Sequence, residues 1–330
     1  MNYPQVRLRR LRQNKILRGL VSENTLNIED LIYPIFICEG EKIKKEIESM
    51  PGQYKMSIDQ AKIRCTEAIK LGVKSFLIFP ISKIKDDTGI CGISQENILQ
   101  KAIKKLKNEF KEILIIADVC HCAYTKHGHC GTIVNGDVDN DMTVKNLCDQ
   151  AISLVESGAD VIAPSDMMDG RIKEIRKKLD EKGYINIPIL SYSAKYSSAF
   201  YGPFREASDS SPQNGNRSTY QLNYCNSREA IREGKLDVNE GADMIMVKPA
   251  LSYLDIITKF KQNFNLPIVA FNVSGEYSMV KAMSKLNWGN ETKLMMEIIN
   301  SIKRAGADII ITYHAIEVAK QIKNENQKQE

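Results

Sequence analysis

The sequence predicts an α/β fold of the (β/α)₈ barrel class, with an extended N-terminal arm and an active-site lid. Eight short apolar segments rich in β-branched residues recur along the chain, and helical patterns separate most of them. A Gly-Ala-Asp repeat at Gly158, Gly241 and Gly306 closes a helix and opens a strand each time. This repeat of helix, glycine and buried strand is what βαβ units need, and eight such strands fit a closed parallel barrel. A doubly wound sheet is the alternative, but no glycine-rich phosphate loop follows the first strand.

The elements divide the chain into an arm (residues 1–30), a barrel (residues 31–322) and a polar tail (residues 323–330) that we expect to be frayed. Residues 193–226 show little periodicity and much Ser, Tyr, Gly and Asn. A structureless segment of that length is usually a functional lid or disordered, and we interpret it as a lid. The predicted strands are 31–37, 75–80, 113–119, 160–165, 187–192, 243–249, 267–274 and 308–313, and predicted helices include 57–70, 98–110 and 144–156.

The composition is that of a soluble globular protein, since 43% of the 330 residues are hydrophobic and 26% are charged. No apolar run reaches the roughly 18–20 residues of a membrane span, and the N-terminus lacks a secretory signal. We therefore expect a cytoplasmic protein with no membrane partner. In that compartment the eight cysteines act as thiols or metal ligands rather than as disulfides.

The net charge of +5 is concentrated in the arm, which contains no acidic residue before Glu23. The rest of the chain is near neutral, which argues against a protein that coats nucleic acid. Apolar residues alternate with the basic ones, and this favours docking on a partner subunit over a solvated tail or an organellar transit peptide. The basic residues are Arg7, Arg9, Arg10, Arg12, Lys15 and Arg18, and the apolar ones are Val6, Leu8, Leu11, Ile16 and Leu17.

Three cysteines lie in the segment DVCHCAYTKHGHCG, residues 118–131, which we call the metal loop. It directly follows a strand predicted to be buried on both faces. Cys120, Cys122 and Cys130 offer three thiolates, and three ligands with one open position are typical of catalytic zinc. His129 could instead complete a structural site with four ligands. Three reduced thiols without metal are the remaining alternative.

Two lysines are placed for covalent chemistry. Lys248 ends a buried apolar run, where an ammonium must be paired or have a lowered pKa. A neutral amine there could form Schiff bases, although a lysine that reaches water at the barrel rim is the simpler alternative. Lys195 follows the predicted fifth strand, next to the sixth in a barrel. Two such ammonium groups would lower each other's pKa.

Further polar residues are predicted at the carboxyl ends of the strands, where barrel enzymes have their active sites. Two arginines in the lid, Arg205 and Arg217, have the planar fork that binds carboxylates, although both could be solvated loop residues. Any single strand-end residue is weak evidence, but the set is stronger. The set comprises Asp118, Cys120, Ser165, Asp166, Tyr192 to Lys195, Lys248, Ser274 and Tyr313.

These residues together resemble the porphobilinogen synthase family, also called 5-aminolevulinate dehydratase, of the zinc-dependent type. The resemblance extends from about Pro4 to Ala319, nearly the whole chain. It depends on five motifs in the same order. They are the metal loop, SYSAKYSSAFYGPFR at residues 191–205, MVKP at 246–249, VSGEY at 273–277 and IKRAGAD at 302–308.

The resemblance implies a hydro-lyase that condenses two 5-aminolevulinate molecules into porphobilinogen with loss of two waters, in tetrapyrrole (haem) biosynthesis. It assigns the Schiff bases to Lys248 for one substrate and Lys195 for the other. It implies that the carboxylate of the second substrate binds Arg205, Arg217 and Gln221, and that of the first binds Ser274 and Tyr313. Asp118, Ser165 and Phe204 complete the expected substrate site.

The resemblance also implies metals and an assembly. One catalytic Zn²⁺ per subunit would bind Cys120, Cys122 and Cys130. A second family zinc site is not expected, because Thr219 stands where a cysteine would be needed. Glu233 matches the position of an allosteric Mg²⁺, although it could be a solvated helix glutamate. The family is usually a homo-octamer in which the arm wraps a neighbouring subunit.

Two other functions remain as alternatives. A different Schiff-base lyase or aldolase on the same barrel would explain Lys248 but not Lys195 or the metal loop. A zinc-organised protein that binds nucleic acid through the arm would bind in a salt-dependent way. The near-neutral body of the chain argues against that second alternative, so we expect no nucleic-acid partner.

Overall fold

Eight parallel strands form a nearly closed barrel in the computed structural model, which describes residues 2–213 and 215–327. The strands are β1 Leu31–Cys38, β2 Ser75–Ile81, β3 Leu114–Val119, β4 Val161–Pro164, β5 Leu190–Lys195, β6 Met244–Lys248, β7 Ile268–Asn272 and β8 Ile309–Thr312. Neighbouring strands pair in the order β4-β3-β2-β1-β8-β7-β6-β5. The circle closes between β4 and β5 through an isolated bridge of Ile162 with Ile189. The (β/α)₈ barrel, or TIM barrel, predicted from the sequence is therefore confirmed.

The fifth strand begins later than its predicted start at residue 187. Pro188 precedes it and has no backbone N–H to donate to the sheet. Ile189 forms the closing bridge with Ile162, and its carbonyl accepts from the backbone N–H groups of Asp243 and Met244. The strand continues through the polar but buried Ser191 and Ser193 to Lys195. This extension places Lys195 inside the sheet rather than in the loop that follows it.

Helices surround the barrel and alternate with its strands. Two small antiparallel pairs, Lys44–Glu46 with Tyr54–Met56 and Ile133–Val134 with Asp137–Val138, lie outside the circle of eight. The α-helices are Lys15–Leu20, Ile58–Lys70, Ile98–Glu109, Asn140–Glu156, Arg171–Glu181, Gly202–Ser208, Arg228–Asn239, Leu254–Asn263, Ser274–Lys285, Glu291–Arg304 and Ala315–Gln327, and the 3₁₀ turns are Leu8–Arg12, Ile28–Asp30, Ile90–Ile93, Ala199–Tyr201 and Leu251–Tyr253.

The core has two layers separated by the sheet. In β1, Leu31, Tyr33 and Ile35 face the surrounding helices, whereas Ile32 and Phe36 face the barrel interior. Strands buried on both faces show continuous apolar runs rather than alternation, which is why the sequence identified them readily. The interior is filled by side chains, so reactive groups can be held only at its open end.

The segments outside the barrel differ in how they pack. No residue of the arm elements Leu8–Arg12 and Lys15–Leu20 is buried, and the side chains of Ile16 and Leu20 are 85% and 80% exposed. Segment 193–226 includes the helix Gly202–Ser208, which covers the barrel mouth next to the helix Ser274–Lys285.

The last helix extends to Gln327 and so includes the first five residues of the tail expected to be frayed. Residues 328–330 of that tail lie outside the described residues. Within the described part of the chain, no helix is both long and apolar enough to cross a membrane.

Candidate active site

Two lysines lie side by side at the carboxyl ends of β5 and β6. Lys195 and Lys248 are register partners in the sheet, and each is only 5% exposed. The Nζ group of Lys195 donates a hydrogen bond to the backbone carbonyl of Ser165, at the end of β4. The barrel geometry thus brings together the two amines that the sequence separates by more than 50 residues.

Aromatic rings enclose the amine of Lys248. Its Nζ lies 4.2 Å from the ring centroid of Phe271, 5.0 Å from that of Tyr192 and 5.3 Å from that of Phe204. Burial in this apolar cage, together with the charge of Lys195, lowers the pKa of Lys248 to about 7. A substantial fraction of Lys248 is therefore a neutral, nucleophilic amine near neutral pH.

A buried carboxyl group, that of Asp118, lies in the same cleft. Burial raises the pKa of Asp118 to about 6, although a hydrogen bond with Ser165 and the charges of Lys195 and Lys248 act in the opposite direction. A carboxyl group with a pKa near neutrality can both accept and return a proton during one reaction.

The three cysteine sulfurs of the metal loop converge. The Sγ atoms of Cys120, Cys122 and Cys130 all lie within 4.8 Å of one another, and all three residues are buried. Hydrogen bonds from Cys120 and Cys122 hold the pKa of Cys130 well below its usual range, so the cluster favours a thiolate. Soft sulfur donors at this spacing fit Zn²⁺ and are the ligands it prefers.

His129 is not part of this group of donor atoms. Its Nδ1 lies 3.0 Å from the hydroxyl of Tyr220, and His129 therefore contacts the edge of the site. Thr219 donates its hydroxyl proton to Asp137, 2.9 Å away, on the outer surface. Three sulfurs, and no histidine nitrogen, therefore make up the converging group in the described part of the chain.

Two lid arginines, Arg205 and Arg217, line the same cleft as the two lysines, whereas Gln221 lines a second cleft. Arg217 donates from Nη2 to the carbonyls of Gly128 and Ser210, each at 2.8 Å. The buried Nε atoms of Arg205 and Arg217, and both amide atoms of Gln221, have no hydrogen-bond partner among the described residues. Burial and the neighbouring charge of Arg217 lower the pKa of Arg205. A buried and a half-buried guanidinium with free donors in one cleft are suited to a carboxylate.

Ser274 and Tyr313 follow the carboxyl ends of β7 and β8. The hydroxyl of Ser274 accepts from the backbone N–H of Phe204 at 3.0 Å and donates to the carbonyl of Phe200 at 3.2 Å. A Cβ at Gly275 would lie 2.6 Å from the same carbonyl oxygen. Ser274 thus holds the lid against the barrel. The buried hydroxyl of Tyr313 has no partner in the described part of the chain.

Sequence reasoning missed part of the aromatic cage. Phe79 and Phe271, at the ends of β2 and β7, and Tyr201 of the lid lie within 6 Å of the Lys248 amine. The sequence search looked for polar strand ends and passed over aromatic ones. Only their position in the strands could have identified them from the sequence, because both phenylalanines face the barrel interior near its open end. The cleft as a whole is lined by Phe79, Asp118, Cys122, Ser165, Lys195, Tyr201, Phe204, Arg205, Arg217 and Lys248.

Glu233 lies apart from this cleft, on the helix Arg228–Asn239. It lines a separate surface cleft with three other carboxylates, those of Asp137, Asp169 and Glu229. Burial raises the pKa of Glu233 to about 7; Arg171 opposes that rise, whereas neighbouring acidic groups add to it. Glu233 is not in the group of converging donors found among residues 2–213 and 215–327.

Comparison with known proteins gives a consistent result. The family model described as delta-aminolevulinic acid dehydratase matches residues 5–321. A relative of that name from Bacillus subtilis (strain 168) is 50% identical over 314 residues, covering 95% of this chain and 97% of the relative. One from Synechocystis sp. is 51% identical over 322 residues, covering 96% and 98%.

A solved structure extends the likeness to three dimensions. Delta-aminolevulinic acid dehydratase (porphobilinogen synthase) from Toxoplasma gondii ME49, in complex with the reaction product porphobilinogen, is 43% identical. It superposes with a TM-score of 0.96 and covers 99% of this chain and 94% of that one. The chain described above therefore belongs to the delta-aminolevulinic acid dehydratase family.

Proposed function

We propose that this chain condenses two molecules of 5-aminolevulinate into porphobilinogen, with loss of two waters, as a lyase of tetrapyrrole biosynthesis. Membership of the family and the likeness to a relative solved with porphobilinogen support this function. The main structural support for this function is the pair of buried lysines, Lys195 and Lys248, which are register partners on adjacent strands. One reactive lysine would suffice for an aldolase, whereas two suit a reaction that joins two ketones.

Lys248 acts first in its neutral form. Its amine attacks the ketone of one substrate, and loss of water leaves an iminium that is a stronger electrophile than the ketone. Loss of a proton from the adjacent carbon then gives an enamine. Asp118 is positioned to accept and return such protons, because it lines the same cleft and its pKa is about 6.

Lys195 holds the second substrate in the same way. With both substrates bound covalently, carbon–carbon bond formation becomes an intramolecular step, for which effective molarities of about 10⁵–10⁸ M are known. Formation of the two Schiff bases releases the two waters. After the carbon–carbon bond forms, one lysine is eliminated as a free amine with loss of a proton from the adjacent carbon. The substrate amino group then closes the ring on the other substrate's iminium carbon and displaces the second lysine. The register of β5 and β6 sets the distance between Lys195 and Lys248, and so between the two substrates bound to them.

The two substrate carboxylates bind at different donor groups. The free donors of Arg205, Arg217 and Gln221 suit the carboxylate of the second substrate. Ser274 and Tyr313 bind the carboxylate of the first. Because Ser274 also holds the lid backbone, binding at this position is coupled to closure of the lid over the cleft.

Metal ions complete the proposal. Cys120, Cys122 and Cys130 would hold one catalytic Zn²⁺ per subunit, which supplies Lewis-acid polarisation of a substrate oxygen when it is bound. Glu233 would hold a regulatory Mg²⁺ with most of its ligands supplied by water, as is usual for that ion. The separation of Glu233 from the cleft is consistent with regulation rather than chemistry.

The function is tested by incubating the purified protein with 5-aminolevulinate and analysing the product by mass spectrometry. We expect a product with the mass of two substrates minus two waters. Reduction with borohydride during turnover, followed by peptide mapping, should place substrate mass on Lys248, or on Lys248 and Lys195. Folded, metal-loaded protein that yields neither product nor adduct would contradict the proposal.

The rate of Schiff-base formation should depend on pH through Lys248. Its amine is protonated and unreactive below a pKa of about 7, so the initial trapping rate should rise about tenfold per pH unit and level off above that value. We would measure cyanoborohydride trapping by mass spectrometry from about pH 5.5 to 9, with a free amine as reagent control. Lys195→Met should move the midpoint upward, because it removes a neighbouring positive charge. A wild-type rate that still rises about tenfold per pH unit up to pH 9, as expected for an ordinary lysine pKa of about 10.4, would contradict this assignment.

We further propose that the chain works as a cytoplasmic homo-octamer whose arm docks on a neighbouring subunit. The exposed apolar residues of the arm, such as Leu8, Ile16 and Leu20, support this. Removing residues 1–22 should give smaller oligomers by size-exclusion chromatography with light scattering. Serine substitutions at the three apolar positions should do the same while keeping the basic charges. An unchanged assembly would refute this role for the arm.

A further inference from the structure

The segment that follows β2, residues 82–93, lies directly against the metal loop, and we call it the backing loop. The backbone N–H of Asp86 donates to the carbonyl of Tyr124, and that of Lys126 donates to the carbonyl of Asp86, each at 2.9 Å. These two bonds make a parallel bridge between Asp86 and Thr125. The hydroxyl of Thr132, just beyond the metal loop, donates to the carbonyl of Thr88 at 3.4 Å. The two loops therefore form one connected unit.

The carboxylate of Asp86 determines the shape of the backing loop. One oxygen accepts the backbone N–H of Thr88 at 2.7 Å, its hydroxyl at 2.9 Å and the N–H of Gly89. The other accepts the N–H of Cys91 at 2.7 Å. Burial acts to raise the pKa of Asp86, but these hydrogen bonds hold it well below its usual range. A single side chain thus satisfies the donors of an entire tight turn.

The turn fits the metal loop closely enough to exclude side chains. A Cβ at Gly89, where φ is +79°, would lie 2.6 Å from the Cβ of His121. A Cβ at Gly92 would lie 2.6 Å from the ring of Tyr124. His121 and Tyr124 flank Cys122 on either side of the chain, so the position of the turn sets the position of the Cys120–Cys122 segment. If the turn changes shape, the sulfur positions change with it.

We propose that Asp86 is a positioning residue for the metal centre, which holds the three cysteines in a geometry ready for a thiophilic divalent cation. This inference rests on the proposed metal site. Asp86 acts through the backbone, and it does not belong to the group of converging donor atoms in the described part of the chain. Hydrogen-bond partners that orient metal ligands typically contribute 10–100-fold to affinity, even when they do not touch the metal.

The neighbouring residue provides a matched control. The Asp87 side chain is 79% exposed and pairs only loosely with Lys126, at 3.5 Å. Asp86→Asn and Asp87→Asn remove the same formal charge from adjacent positions of the backing loop. Only Asp86→Asn replaces an acceptor in the turn with an amide NH₂, which meets a donor at Thr88 or Cys91.

The test measures binding of Co²⁺ and Zn²⁺ to the wild type and both variants, with the thiolate-to-cobalt absorption as the spectroscopic signal. We expect Asp86→Asn to raise the Kd for both ions by about 10–100-fold and to change the cobalt spectrum. Asp87→Asn should match the wild type in both. If both variants bind the ions with the same Kd and spectrum, Asp86 has no positioning role and the inference is overturned.

Two further outcomes are distinguishable. If the wild type binds neither ion, the proposed metal site fails and the inference fails with it. If Asp86→Asn does not fold, the inference is tested by measuring amide hydrogen exchange of the wild type with and without metal. Metal binding should then slow exchange at the amides of Gly89 and Cys91 together with those of the metal loop. Unchanged exchange in the backing loop would overturn the inference.

Discussion

Replacing Lys248 with methionine should abolish turnover while leaving the protein folded. The variant keeps a side chain of similar length, but it removes the amine that we propose forms a Schiff base with substrate. Loss of a catalytic nucleophile costs on the order of 10⁴–10⁶ in kcat in enzymes where this has been measured. We therefore expect activity to fall at least about 10⁴-fold, and borohydride trapping to leave no substrate mass at position 248.

The stability of Lys248→Met should not fall with its activity. The Lys248 amine lies in a cage of aromatic rings with Lys195 nearby, a poor environment for a charge. A thioether packs favourably against aromatic rings and needs no hydrogen bond. The melting temperature of Lys248→Met should therefore equal or exceed that of the wild type, as measured by circular dichroism. This difference separates loss of chemistry from loss of fold.

Lys195→Met is the matched control, because Lys195 is as buried as Lys248 and is its neighbour in the sheet. It should lose turnover but still allow one adduct at Lys248. The two losses should not add in the double variant, because both residues serve one reaction. Normal turnover by Lys248→Met would contradict the proposed role of Lys248. An adduct found only at Lys195 in the wild type would contradict it as well.

The sequence predicted the barrel well because its strands are buried on both faces. Such strands are continuous apolar runs, and the glycine at each helix end marks where the next strand begins. The prediction was less accurate at β5, where buried serines interrupt the apolar run and Pro188 shortens its start. Polar residues in a strand are ambiguous in sequence, because only the tertiary structure shows that Ser191 and Ser193 are enclosed.

The candidate site was predictable where its residues are chemically unusual. The cysteines of the metal loop and the lysines at strand ends are identifiable from residue type and position. The aromatic cage and the backing loop are not, because phenylalanines and an aspartate turn are common in any sequence. Their role in the site depends on distances that only the structure shows. The Lys248 Nζ lies 4.2 Å from the ring centroid of Phe271, and the backbone nitrogen of Asp86 lies 2.9 Å from the carbonyl oxygen of Tyr124.

Cys122→Ser should greatly reduce both metal content and turnover. A hydroxyl is a much weaker ligand than a thiolate for Zn²⁺, and among the described residues three cysteine sulfurs converge at the site. A Lewis acid contributes several kcal/mol to a transition state, and each 1.36 kcal/mol is a factor of ten in rate. We therefore expect activity to fall by about 10²-fold or more, with bound zinc, measured by elemental analysis, well below one per subunit.

The fold should survive this change, because the three cysteines form a small cluster separate from the two main core layers. Cys148 is the matched control, since it is also 7% exposed but packs in the layer between helices and strands. Cys148→Ser should lower the melting temperature and leave metal content and specific activity unchanged. If Cys122→Ser kept full turnover, or if metal-free wild type turned over normally, the cysteines would be a structural feature of the loop. The site would then have to work through Lys248, Lys195 and Asp118 alone, without a Lewis acid.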